Sequence, residues 1–256
     1  MESLVSALVT AGVGVVITVV ILVAVRRLVP LDVLTDAIGV GGLLMTIAGT
    51  LYAVLVAFAV VIVWNAYDST SDVVDREALA LNDVVRLSKA FPAATSLRIG
   101  DLAERYTADV LQQEWPAMAL GKSSPTARDL KDQIWSVVMS IKPVDAGEQA
   151  AYGMLISRVV DFTDARRRRL FDSTSSLPRL IWLVLVAGGV MTLAFTFFFG
   201  LKNLLAQVIM TAMCVVTAVL ILWLISDMDR PFTGDIRITS GSFQALDESL
   251  QRLRAR

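Results

Sequence analysis

An apolar stretch that continues into a charged helical pattern constrains this chain more than any other feature. Ile38 to Val63 carries no charge and is long enough to cross a bilayer at the helical rise of about 1.5 Å per residue. Trp64 to Tyr67 then leads, without Pro or Gly, into the charged pattern Asp68 to Ala90. We therefore predict one helix that leaves a membrane and continues into a polar domain.

Three further apolar runs accompany this stretch, and 55% of the residues are hydrophobic, which is typical of membrane proteins. Leu4 to Val25 precedes it. Leu180 to Leu201 and Leu204 to Ile225 follow, separated only by Lys202 and Asn203, so a helical hairpin is expected there. The sequence thus predicts four transmembrane helices.

The distribution of Lys and Arg near the span ends predicts the orientation of the chain. Four spans place both termini, and the segment between the second and third spans, on the same side. Positive charge is retained in the cytoplasm, and this side has more of it than the side of Arg26, Arg27 and Lys202. The basic residues of the richer side are Arg166 to Arg169, Arg179, Arg230 and Arg237. We expect a multi-pass protein of the inner membrane or plasma membrane with cytoplasmic termini, although Arg26 and Arg27 oppose this orientation.

The central segment, Tyr67 to Leu177, has apolar residues at helical spacing throughout. Asp145 and Glu148 form a capping box that opens a long helix, and a terminal helix begins near Ser242. The predicted fold is all-α, with a helical cytoplasmic domain inserted between the second and third of four spans. Its parts are a first transmembrane helix pair (1–66), the cytoplasmic domain (67–177), a second transmembrane pair (178–226) and a cytoplasmic C-terminal turn and helix (227–256).

Composition argues against several classes of function. The chain has no His and a single Cys, Cys214, inside an apolar run. The usual general base, the Ser-His-Asp arrangement and most metal sites therefore lack their residues. The net charge of −1 comes with no basic patch of the kind that nucleic-acid binding requires. We expect no catalytic residue, no cofactor, no metal and no nucleic-acid partner.

One line along the predicted long helix carries polar and acidic residues. On a helix that advances about 100° per residue, they all lie within about 40° of that line. The candidate pore-lining residues are Thr46, Thr50, Ala57 and Val61, and the candidate ion-selecting residues at the cytoplasmic mouth are Asp68, Asp72 and Asp75. The domain core is expected on another face, at Val74, Ala78, Leu81 and Val85. Alternatively, the small residues serve helix packing and the aspartates form a solvated face.

A run of four arginines, Arg166, Arg167, Arg168 and Arg169, precedes the third predicted span. Adjacent guanidinium groups near a membrane attract phosphate headgroups, so these residues are candidate contacts for anionic lipid or for a regulatory anion. Alternatively, the run is a topology signal and pairs with domain carboxylates such as Glu104 or Asp109. Both interpretations stay open at this point.

Several stretches carry a family resemblance. They are Trp64 to Tyr67 with Asp75 to Ala78, Glu114 to Met118, Arg166 to Leu170, Leu177-Pro178 with Trp182, and Asp229-Arg230-Pro231-Phe232-x-Gly234. From about Ile38 to Arg237 the chain resembles the bacterial bestrophin-like membrane proteins. The resemblance implies a homopentameric ion channel whose second span lines a central pore with a hydrophobic neck. Membrane lipids and inorganic ions are then the expected partners.

Two departures from animal bestrophins limit what the resemblance implies. Their acidic calcium clasp follows Pro-Phe-Gly, whereas Asp235-Ile236-Arg237 has one carboxylate here, so calcium gating is not implied. Their aromatic neck residues are not in register with Ile38 to Val63 either. The gate is therefore left unassigned.

Two functions remain open from the sequence. The first is a homo-oligomeric ion channel, with a preference for cations because of its aspartates. The second is a non-conducting membrane scaffold or sensor that binds a protein partner through its cytoplasmic helices. They differ in whether the line of Thr46, Thr50 and Ala57 faces an axial opening. A transporter is less favoured, because no span contains an intramembrane charge.

Overall fold

The computed structural model describes residues 2–31, 34, 38–201 and 203–254. Within these ranges the chain is helical and forms no strand, which confirms the all-α prediction. A π-helix (Val110–Glu114) and a 3-10 turn (Thr196–Phe198) are present besides the α-helices. The α-helices are α1 (Glu2–Leu28), α2 (Ile38–Ser88), α3 (Ala93–Asp109), α4 (Trp115–Met118), α5 (Pro125–Met139), α6 (Ala146–Asp172), α7 (Arg179–Phe195), α8 (Leu204–Met228) and α9 (Gly241–Arg254).

Helix α2 is continuous from Ile38 to Ser88, so the prediction of one helix through Trp64 to Tyr67 is confirmed. It contains no Pro, and it contains no Gly between Thr50 and Ser88. Neither of the two residue types that most disfavour a helix is therefore present in that stretch. It ends at Ser88 rather than at the expected Ala90. Pro92 follows closely and disfavours helical backbone at the residue before it.

The chain divides into two compact units, and α2 contributes to both. The first unit contains the residues up to Ala66, Ser176–Asp229 and Gly234–Ile236. The second contains Tyr67–Ser175, Arg230–Thr233 and the residues from Arg237 onward. Over the described residues, four helical segments are long and apolar enough to cross a membrane. They are Leu4–Leu28, Gly39–Ser88, Arg179–Phe198 and Leu204–Met228.

Glycines allow close helix contacts in the first unit. A Cβ atom added to Gly188 would lie 2.7 Å from Cδ2 of Tyr52, and one added to Gly189 would lie 2.8 Å from the Tyr52 hydroxyl. The tyrosine of α2 therefore lies in a notch that only glycine leaves open on α7. On α1, Gly14 similarly faces Val215 of α8, 3.2 Å from an added Cβ. Small residues thus bring apolar helices together, as is usual in membranes.

Polar side chains close one end of the α7–α8 hairpin. Gln207 donates a hydrogen bond to the carbonyl of Phe199 at 2.6 Å and accepts one from the amide of Leu201 at 3.4 Å. Arg26 at the end of α1 donates to the carbonyl of Leu201. Arg26 therefore has a structural partner.

The charged half of α2 forms the core of the second unit with α3, α5, α6 and α9. Val74, Ala78, Leu81 and Val85 are buried, as the helical periodicity predicts. They belong to one apolar cluster, to which the other helices contribute Leu102, Tyr106, Val110, Leu130, Ile134, Val138, Leu155, Val159, Phe162, Phe243, Leu246 and Leu250.

The predicted capping box at the start of α6 is present with a shifted partner. The carboxylate of Asp145 accepts a hydrogen bond from the amide of Glu148 at 2.8 Å. The Glu148 carboxylate returns to the amide of Val144 at 3.0 Å, one residue before the expected N-cap amide. The first bond satisfies an amide that the start of the helix leaves free, and the second ties the preceding residue to the helix.

A turn after α8 completes the first unit. The carboxylate of Asp227 accepts hydrogen bonds from the amides of Asp235 and Ile236, at 3.1 and 2.6 Å. Gly234 has φ of 78°, and a Cβ there would lie 2.1 Å from Oδ1 of Asp227, so only glycine fits. Asp235 accepts a hydrogen bond from the amide of Leu4 at 2.8 Å, at the positive end of α1. The single carboxylate after Pro-Phe-x-Gly thus caps a helix.

Candidate functional site

The predicted pore-lining residues of α2 are exposed in the single chain. Thr46, Thr50, Ala57 and Val61 all lie on the surface of the first unit. The hydroxyl of Thr46 donates to the carbonyl of Gly42 at 2.9 Å, and that of Thr50 donates to the carbonyl of Thr46 at 2.7 Å. Each hydroxyl proton is used within the helix, so each hydroxyl presents an oxygen to whatever covers this face.

The three aspartates of α2 are also exposed, but their surroundings differ. Asp72 pairs with Arg76 one turn away at 3.7 Å, and both side chains are mostly solvated. Asp75 accepts a hydrogen bond from the hydroxyl of Ser242. Neither partner was predicted from the sequence. Arg76 places a positive charge within this acidic surface, and Ser242 belongs to α9, far away in the sequence.

The arginine run divides between the interior and the surface of the second unit. Arg166 and Arg169 are buried, whereas Arg167 and Arg168 are exposed, and Arg168 pairs with Asp172 at 3.0 Å. The prediction of lipid or anion contact is wrong for Arg166 and Arg169, because both guanidinium groups bind carboxylates inside the unit. For Arg167 and Arg168 it stays a prediction.

Five side chains from distant parts of the chain form a buried charge cluster: Glu77, Tyr106, Glu114, Arg166 and Arg169. Arg169 donates to both oxygens of Glu77, at 2.6 and 2.9 Å, and to Glu114 at 2.8 Å. Arg166 donates to Glu114 at 2.5 Å, and the Tyr106 hydroxyl donates to Glu77 at 2.5 Å. Two carboxylates therefore balance two guanidinium groups, as burial of charge requires.

Glu114 reaches the charge cluster because the helix widens just before it ends. The amide of Trp115 donates to the carbonyl of Val110, five residues back, instead of four. Pro116 has no amide proton, and its ring would clash with the carbonyl four residues before it in a regular α-helix. The π-turn widens the helix at this point and presents Glu114 to the arginines. The amide of Ser124 adds a further hydrogen bond to Glu114 at 3.1 Å.

Aromatic rings cover the guanidinium of Arg169. Trp115 and Phe243 lie with their ring centroids 5.7 and 5.5 Å from its Cζ, within range of a cation–π contact. Trp115 also contacts Phe232 edge to face at 5.6 Å. The Pro-Phe turn and the C-terminal helix therefore both contribute to the shell around the charge cluster.

Burial and charge shift two pKa values in the charge cluster. Burial raises the pKa of Tyr106 well above its ordinary range, and the neighbouring carboxylate of Glu77 raises it further. Burial on its own lowers the pKa of Arg169, but Glu77 offsets this effect, and the pKa of Arg169 ends above its usual value. Tyr106 is thus a neutral donor, and Arg169 is a permanent cation.

The charge cluster joins stretches on which the family resemblance rests. Glu77 comes from Asp75 to Ala78, Glu114 precedes Trp115, and Arg166 to Leu170 supplies both arginines. A signal for it exists in the sequence: Phe162, Arg166 and Arg169 continue one buried face of α6 at helical spacing. The expected partners were wrong, since Glu104 pairs instead with Arg254 at 2.6 Å. The arginines bind carboxylates on α2 and the π-turn.

The all-helical fold with its long apolar segments defines a helical membrane protein. Comparison with sequence models of protein families shows that the bestrophin-like domain matches residues 12–243. The chain belongs to the bestrophin-like family, so the resemblance found in the sequence is confirmed.

Solved structures of bacterial bestrophin homologues from Klebsiella pneumoniae share the fold. A tryptophan-to-alanine variant is 14% identical and aligns with a TM-score of 0.74 over 100% of this chain and 99% of its own. The structure phased on zinc is 15% identical, with a TM-score of 0.70 over 99% of each chain. At this identity the likeness shows the fold alone. No curated protein matches the chain.

Proposed function

We propose that this protein is a homo-oligomeric ion channel, not an enzyme, and that α2 of each subunit lines its pore. The four apolar segments cross an inner or plasma membrane, while the second unit and both termini lie in the cytoplasm. Membership of the bestrophin-like family supports this function, and the family resemblance implies five subunits. The membrane lipids and the permeating inorganic ions are then its partners.

One observation carries the proposal: the exposed surface of α2 has two different sectors. Thr46, Thr50 and Ala57 occupy one sector, and the large side chains Leu51 and Phe58 occupy another, about 100° around the helix. The second sector suits lipid or a neighbouring helix. Between Thr46 and Ala57 the first offers small side chains and hydroxyl oxygens, which suit a passage for hydrated ions, and the apolar Leu43 and Val61 bound this stretch.

The acidic end of α2 supports a preference for cations. Salt screens a single exposed aspartate within about 8 to 10 Å. Copies of Asp68, Asp72 and Asp75 around a narrow vestibule add their fields, attract cations and repel chloride. Arg76 offsets part of this charge. Val61, nearer the membrane interior, supplies a ring that dewets and acts as a constriction.

The second unit also supports the alternative of a scaffold or sensor that does not conduct. Leu120 and Val144 are 74% and 84% exposed there, at opposite ends of the segment containing α5. Exposed apolar side chains mark a partner surface where they form a contiguous patch, which is the feature that this alternative requires. Arg167 and Arg168 are exposed, and contact with anionic headgroups stays a prediction for them in either case.

Purified full-length protein in liposomes separates these functions. We expect a single oligomeric mass and ion flux, with a reversal potential under a salt gradient that favours cations. Replacing Asp68, Asp72 and Asp75 by Asn should move that potential toward chloride without changing the oligomer. A matched control replaces Asp101, Asp129 and Asp132, which are exposed elsewhere on the second unit. A stable oligomer that carries no flux would favour the scaffold.

A further inference from the structure

Helix α9 contacts the acidic surface of α2 at two matched points. The hydroxyl of Ser242 donates to the carboxylate of Asp75, and the hydroxyl of Ser249 bonds to Oδ1 of Asn82 at 3.0 Å. Both pairs are separated by 167 residues in the sequence, so α9 runs beside α2 in the same direction. One contact involves a charge, whereas the other joins neutral groups.

The two aspartates nearest this contact differ in what surrounds them. On a helix Asp75 lies about 60° from Asp72, on the side that faces α9. A groove between the two helices has Asp75, Leu79 and Asn82 on one wall and Ser242 and Ser249 on the other. The Asp75 carboxylate is therefore turned toward α9. Asp72 instead forms a loose, solvated pair with Arg76 at 3.7 Å.

From this geometry we infer that Ser242 is a positioning residue for ion selectivity. The inference rests on the proposed channel function. By accepting the hydrogen bond of Ser242, the Asp75 carboxylate is held toward α9 and contributes less field to the pore axis than an unbound carboxylate at this position would. The C-terminal helix thereby sets how many aspartates act on a passing ion.

Two serine variants test this inference in the full-length protein in liposomes. Ser242→Ala frees the Asp75 carboxylate, so the reversal potential should shift toward greater cation preference. Ser249→Ala removes the same kind of contact between the same helices but leaves Asp75 bound, so it should leave the potential unchanged. Asp75→Asn should change the potential more in the Ser242→Ala background than in the wild type, because the two residues are coupled. Oligomer mass verifies that each variant is assembled.

The outcomes separate the inference from the function on which it rests. An unchanged potential in Ser242→Ala, in a channel that still responds to the triple Asp→Asn replacement, overturns the positioning role alone. An equal shift in Ser249→Ala also overturns it, since general docking of α9 would then be responsible. A wild-type protein without ion flux removes both the proposed function and the inference.

Discussion

Arg169 binds Glu77 through two hydrogen bonds of 2.6 and 2.9 Å, and both side chains are fully buried. The bidentate geometry fixes the position of α6 against the charged half of α2. Glu77 lies on α2, and α2 continues without interruption to Ile38, so this contact holds the helix that also carries the proposed pore-lining residues. Arg169 and Glu77 are therefore a structural support of α2.

Replacing Glu77 by Gln should strongly destabilise the second unit. Arg169 would keep only one carboxylate, and leaving a buried charge without its partner costs about 3 to 5 kcal/mol. Thermal unfolding in detergent and protease sensitivity should both show the loss. The matched control is Arg167→Gln, which removes an exposed charge from the same run and should change stability by no more than about 0.5 kcal/mol. Equal stability of the two variants would contradict the structural role of the charge cluster.

Stability should decline in alkaline solution in a way that depends on Tyr106. The pKa of Tyr106 is raised above its ordinary value of 10.0 in the folded protein. The unfolded chain therefore loses this proton first, so the contribution to stability is complete below about pH 10 and is lost as the pH rises toward the folded pKa. Unfolding temperatures measured against pH should fall more steeply above about pH 10 in the wild type than in Tyr106→Phe. If the unfolding temperatures of the two proteins fall equally steeply above about pH 10, the Tyr106 hydroxyl does not contribute as its burial predicts.

The notch for Tyr52 should make Gly188 intolerant of a side chain. Gly188→Ala places a Cβ 2.7 Å from the ring of Tyr52, whereas Gly12→Ala meets no atom within 4 Å. Both changes gain the same helix propensity, of about 1 kcal/mol, so their difference isolates the clash. Overpacking typically costs about 1 to 3 kcal/mol, and unfolding in detergent should show Gly188→Ala to be the less stable variant by that amount. If the two variants prove equally stable, α7 and α2 do not approach as described.

Local signals in the sequence were sufficient for much of the fold. The absence of Pro and Gly from Trp64 to Ala90 predicts that α2 continues beyond its apolar stretch, and the Asp145 and Glu148 pair predicts the start of α6. The buried face of α2 follows from the spacing of Val74, Ala78 and Leu81. In each case the residues that decide the structure lie within a few turns of each other.

The charge cluster could not be derived in the same way, because its contacts are distant in sequence. Arg169 and Glu77 are 92 residues apart, and Arg166 and Glu114 are 52 apart. Four adjacent arginines beside a predicted span favour a membrane contact, and only the apolar spacing that ends at Phe162 indicates otherwise. The π-turn before Pro116 is equally hidden, since a proline shows where a helix is disturbed but not which side chain turns inward.

Thiol modification along α2 tests whether this helix lines an ion pore. In a background with Cys214, the only cysteine, replaced by Ser, single cysteines are placed at Thr50, on the proposed pore-lining sector, and at Leu55, about 140° around the helix. Both positions are exposed on the single chain. A charged, membrane-impermeant thiol reagent should reduce ion flux through liposomes containing Thr50→Cys and leave Leu55→Cys unaffected. Block at Leu55→Cys with none at Thr50→Cys, or no flux in either protein before modification, would contradict a pore lined by this face of α2.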